Sequence, residues 1–174
     1  VTTGFADEAS FIAAGARFVA KDLHQLGSSL GEVLSAACRT RVHFDAATLS
    51  AMMAHALGAA REGLAQLEAP IGAALFDPDG RLLVTGHNRA CETGDVTHHA
   101  EMDAFRRLAD LGEAPADGVT LVSTLEPCVM CLGAAMQVGI DVVVYGLSAP
   151  ADGGASRVSP PRSPENRLPR LRGD

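Results

Sequence analysis

The sequence predicts an α/β fold in which one sheet is sandwiched between helices, and three observations support this. From residue 71 onward, apolar runs of strand length alternate with helix-length amphipathic runs in the order ββαβαβ. Turn formers at Asp77-Pro78-Asp79-Gly80 and a polar loop from Asn88 to Thr97 separate the first of these runs. The chain has 174 residues, 47% of them apolar, which suits one domain with a sizeable core.

Each element has a local reason. In residues 1–45, Phe11, Ile12, Phe18, Val19, Leu23, Leu26, Leu30, Val33, Leu34 and Ala37 recur at three- or four-residue intervals, predicting an N-terminal helical extension broken at Gly27-Ser28-Ser29. A second helix starts at a cap, Asp45 or Thr48. It carries the stripe Leu49, Met52, Met53, Ala56, Leu57, Ala60 and Leu64 and stops near Glu68-Ala69-Pro70. Strands over Ile71–Phe76 and Arg81–His87 flank Asp77-Pro78-Asp79-Gly80, a hairpin turn. A polar loop from Asn88 to Thr97 leads to a helix over His98–Leu111. Val119–Ser123 reads as a buried strand, Cys128–Val138 as a helix and Val142–Tyr145 as a strand. Residues 46–149 thus form the main domain. The tail, residues 150–174, holds five of nine prolines and carries +2 against -9 on the rest. The prolines forbid a continuous helix, so it is expected to wrap over the domain in extended form.

Composition excludes several classes. The longest charge-free run, Ala46–Ala60, has 15 residues and includes a histidine, whereas a bilayer needs about 20 apolar residues. No basic-then-apolar segment opens the chain, and four cysteines are too few to staple it, so the expectation is a cytoplasmic protein. The net charge of -7 argues against a protein that lives on nucleic acid, because phosphate binding draws on Lys and Arg.

Two short stretches carry chemistry: His99-Ala100-Glu101 and Pro127-Cys128-Val129-Met130-Cys131. One His nitrogen and two Cys sulfurs make a three-ligand set for zinc, leaving the fourth tetrahedral position for water. His87, His98 or Cys91 could instead close the site as a structural zinc, and His98 competes with His99 as a ligand. Spacing to Glu101 favours His99. Both stretches fall where a connection becomes a helix, so N–H groups and positive dipole ends favour thiolates there. Glu101 is two residues past His99, close enough to serve as general acid/base to a metal-bound water without ligating.

The pair H-x-E and P-C-x-x-C resembles the zinc-dependent nucleobase and nucleoside deaminases. Pro70-Ile71-Gly72-Ala73-Ala74, Gly86-His87-Asn88-Arg89 and Thr124-Leu125-Glu126-Pro127-Cys128-Val129-Met130-Cys131 look like the branch with bacterial tRNA adenosine deaminases, guanine deaminases and cytosine deaminases. The resemblance spans roughly residues 48–150. It implies a cytidine deaminase-like three-layer α/β/α sandwich with a mixed five-stranded sheet, one Zn2+ per subunit and a homodimer. It makes residues 46–149 the deaminase domain, His99, Cys128 and Cys131 the metal ligands, Glu101 the proton shuttle, and Asn88 a residue that hydrogen-bonds the substrate ring. An Asn offers both donor and acceptor, as reading a base edge requires.

For the substrate, Thr124–Cys128 looks most like the tRNA enzymes. Other features point elsewhere. No aromatic residue follows Tyr145, aromatics make up 4% of the chain, and the body is acidic, whereas RNA loops are read by stacking on aromatic or arginine planes. The expectation is a free nucleobase or nucleoside, guanine, cytosine or a related aminated heterocycle. Adenosine in the tRNA anticodon loop is the alternative, and a non-catalytic zinc-bound module the third reading.

Overall fold

A computed structural model describes residues 44–112, 118–158 and 168–173. The helical extension expected over residues 1–45 lies, up to residue 43, outside the described residues. Helix α1 (Ala46–Ala65) opens on Asp45, whose carboxylate accepts the Thr48 N–H at 2.7 Å. The hairpin follows as β1 (Gly72–Phe76) and β2 (Leu82–His87), then a one-turn helix α2 (Ala90–Thr93) and helix α3 (Ala100–Asp110). Strand β3 (Thr120–Leu125), helix α4 (Val129–Val138), β4 (Val142–Leu147) and a short β5 (Arg170–Arg172) complete the order.

The five strands form one sheet in the order β2-β1-β3-β4-β5. β1 is antiparallel to β2 and β3, while β3, β4 and β5 run parallel, so the sheet is mixed. Side chains of a strand alternate between faces, and the alternation sorts the core into two layers. Ala74, Phe76, Val122, Val142 and Val144 pack with Met52 and Ala56 of α1. Ala73, Leu75, Leu121 and Val143 face the other way, against Ala104, Phe105 and Leu108 of α3 and Leu132 and Ala135 of α4. The result is the expected three-layer sandwich.

Close approach explains one departure from the sequence pattern. A β-carbon at Gly72 would collide with the backbone of Ala56 and Ala60, so α1 sits directly on β1. Small side chains must therefore line α1 where it crosses Gly72, and Ala56, Ala59 and Ala60 are buried there. Leu57 and Leu64, which periodicity puts on the apolar stripe, are 43% and 56% exposed.

Two elements were not expected from local pattern. The loop after His87 contains α2, and the tail supplies β5, which pairs in parallel with β4 through Val142–Arg170, Val143–Leu171 and Val144–Arg172. The described part of the tail thus extends the sheet at its edge. No helix among the described residues is long and apolar enough to cross a membrane.

Candidate metal centre and active site

His99 is the N-cap of α3 and Cys128 the N-cap of α4, and Cys131 lies in the first turn of α4. Strands β2 and β3 deliver the chain to these two helix starts side by side, which brings together residues 29 and 32 positions apart in sequence. His99 Nδ1 lies 3.7 Å from Cys128 Sγ and 3.6 Å from Cys131 Sγ, and the two sulfurs are 3.6 Å apart. A tetrahedral zinc with ordinary Zn–S and Zn–N bonds has ligand-to-ligand edges of roughly 3.5–3.8 Å. All three observed edges match within about 0.2 Å, so the residues fit the ion.

No fourth protein ligand joins the set among the described residues. His98 is turned to Asp103, with its Nε2 3.3 Å from Oδ1, and His87 Nδ1 lies 2.9 Å from the Asn88 carbonyl. Cys91 is exposed on α2. The three residues that could have closed the site are thus engaged elsewhere or apart from it. Burial, reinforced by Glu101 and Cys128, pushes the Cys131 thiol far above its ordinary value. Metal binding therefore has to release that proton.

Glu101 sits in the first turn of α3 and is 3% exposed. Ser123 Oγ donates to its Oε1 at 2.8 Å, and the Cys131 thiol lies 3.4 Å from its Oε2. The carboxylate is thus held at the three-ligand cluster without belonging to it. Ser123 is a partner of Glu101 that the sequence did not reveal, because a serine in a β-branched run reads as strand filler.

The loop carrying His99 is fixed by a second buried carboxylate. Asp103 accepts the His87 N–H at 3.3 Å and pairs with Arg107 at 2.9 Å and Arg89 at 3.5 Å, as well as with His98. A third, Glu68, accepts N–H groups of Cys91 and Glu92 at 3.1 and 2.7 Å and the Asn88 side-chain amide at 2.9 Å. Burial works to raise the Glu68 carboxyl, but the Glu92 and Cys91 N–H groups and the Asn88 amide outweigh it and hold it below its ordinary value.

His99, Glu101 and Cys128 share a cavity of about 170 Å³ with Ile71, Leu125, Glu126, Ala149 and Asp152. Asn88 is buried nearby in the chain path, its N–H on the Ile71 carbonyl at 3.2 Å, but it does not line this cavity. One N–H of its amide is committed to Glu68, which leaves the second N–H and the side-chain carbonyl for other partners.

Comparison with known proteins follows the same residues. The model of the cytidine and deoxycytidylate deaminase zinc-binding region matches residues 46–147, more than half of the chain. A tRNA(Ile)-lysidine synthase of Deinococcus deserti is 46% identical over 112 residues, 64% of this chain and 21% of that protein, so the chain spans about a fifth of that relative. A tRNA-specific adenosine deaminase of Agrobacterium fabrum is 40% identical over 99 residues, 56% of this chain and 64% of that protein. Among solved structures, one from a study of tRNA:A34 deaminases superposes with a TM-score of 0.64 at 34% identity, covering 72% of this chain and 98% of that one. Guanine deaminase from Bacillus subtilis superposes with a TM-score of 0.52 at 33% identity, covering 57% and 64%. The chain belongs to the family of the cytidine and deoxycytidylate deaminase zinc-binding region, and His99, Cys128 and Cys131 are placed to hold a metal ion.

Proposed function

We propose that the protein hydrolytically deaminates a purine presented as a free base or nucleoside. The observation that carries this reading is the cavity itself. At about 170 Å³ it lies below the roughly 300–1,000 Å³ of drug-sized ligand sites, so it suits one heterocycle. Among the described residues its lining includes Glu126 and Asp152 and no Lys or Arg, so no cation there would hold a phosphate. A purine is favoured over a pyrimidine because the tRNA-specific adenosine deaminase and the guanine deaminase both act on purines by name.

In this reading His99, Cys128 and Cys131 hold one zinc ion per chain, which supplies a water of lowered pKa. Glu101 takes a proton from the attacking water as the ring carbon–oxygen bond forms. It returns a proton to the amine as the carbon–nitrogen bond breaks and ammonia leaves. Ser123 holds Glu101 in the orientation this exchange needs. Asn88 does not line this cavity, so in this reading it holds the loop after β2 through its bond to Glu68 rather than touching the ring. The protein works in the cytoplasm as a homodimer.

A second reading, adenosine in a tRNA anticodon loop, has its own support. An apolar groove of about 420 Å³, lined by residues including Met53, Leu57 and Leu147, shares Ile71 and Leu125 with the cavity. Such a wall could receive a base flanking a flipped nucleotide. The relatives named for tRNA adenosine deamination add weight to this alternative. Ammonia release measured with adenine, guanine, cytosine, their nucleosides and an anticodon stem-loop separates the two. Turnover of a free purine or its nucleoside is expected, and activity confined to the stem-loop overturns the first reading.

A further inference from the structure

Glu126 lies two residues before the Cys128 ligand, and both of its carboxylate oxygens serve the loop that follows β4. Oε2 accepts the Ala149 N–H at 2.9 Å and Oε1 the Ala155 N–H at 3.0 Å. Two buried glycines complete the contact. Gly153 pairs with Cys128 in an isolated antiparallel bridge, and a β-carbon there would collide with the Glu126 carboxylate. Because that carboxylate is tied to two N–H groups, it cannot swing aside without breaking them. Gly154 donates its N–H to the Pro127 carbonyl at 2.9 Å, and a β-carbon on it would come within 2.9 Å of the backbone of Cys128 and Val129. The same loop contributes Ala149 and Asp152 to the cavity that holds Glu101.

We propose that Glu126 is a positioning residue for substrate binding: it staples the 149–155 loop to the ligand-bearing Pro127–Cys128 segment, so that one side chain sets the cavity wall. The role as a substrate wall rests on the reading of this cavity as the purine site. The staple itself does not. A carboxylate accepting two N–H groups is a strong restraint, since hydrogen bonds to charged groups exceed neutral ones. Glu126→Gln replaces one acceptor oxygen by a donor that faces an N–H.

The test uses the zinc-loaded full chain and two variants, Glu126→Gln and Gly153→Ala, the second leaving the carboxylate chemically intact. Hydrogen exchange at the Ala149 and Ala155 amides is expected to quicken about tenfold in each variant. KM for the free purine or nucleoside should rise about tenfold, with kcat within about twofold and zinc content unchanged, the pattern of lost binding rather than lost chemistry. If Glu126→Gln fails to fold, Gly153→Ala decides by the same readouts. Unchanged exchange with unchanged KM overturns the proposal, as does a fall in kcat with zinc loss at constant KM. Should the wild-type chain turn over no free purine or nucleoside, the substrate reading fails, and amide exchange alone then decides the staple.

Discussion

A carboxylate can shuttle protons only if it stays at the reacting atoms without becoming a ligand itself. For Glu101 that condition is met by Ser123 on β3, whose hydroxyl donates to its Oε1 at 2.8 Å and keeps its proton when Cys131 gives up its own to a metal. Ser123 is fully buried, so its hydroxyl has no water to turn to. Ser123→Ala should therefore lower kcat by about tenfold or more, since a hydrogen bond to a charged group is worth roughly 1.5–3 kcal/mol and each 1.4 kcal/mol is a factor of ten. Zinc content should not change, because no ligand is touched. Steady-state kinetics beside a metal assay check this, and an unchanged kcat would show that Glu101 is oriented by other means.

At the level of elements, the centre is built from two helix starts and the loop between β2 and α3. The four-residue α2 is too short to be stable alone and makes no N-cap hydrogen bond of its own. Glu68 supplies what it lacks by accepting the Cys91 and Glu92 N–H groups while fixing Asn88. The folded Glu68 carboxyl is held below its ordinary value of 4.5, so the stability it contributes is present above that value and lost as pH falls through the lower folded one. Melting temperatures measured from neutral pH downward should show this acid-sensitive component in the wild type and lack it in Glu68→Gln. Identical acid dependence in the two proteins would mean that Glu68 contributes no linked stability.

Over the whole molecule, what could be read from the sequence was what is local or periodic. The hairpin strands, the three core helices and the three residues that could hold a metal ion announce themselves through alternation, turn residues and a paired motif, and the sheet and its helical layers follow from them. β5 was hidden because three residues, Arg170–Arg172, between Pro169 and Gly173 carry too little pattern to mark an edge strand. α2 was hidden in a polar loop. Glu68, Asp103, Ser123 and Glu126 escaped notice for another reason. The contacts that give Glu68, Ser123 and Glu126 their roles span 20 or more positions, and Asp103 reaches back 16 to the His87 N–H, so no local signal marks them.

All of these scales meet in the three-ligand centre beside a carboxylate that is not a ligand. Zinc content and ammonia release, measured together on Glu101→Ala and the wild type, test that arrangement most directly. The account predicts about one zinc per chain in both proteins and turnover lower by about 10²–10⁴-fold in the variant, the usual weight of a general acid/base. Loss of the metal in Glu101→Ala, or turnover that survives the substitution, would contradict it.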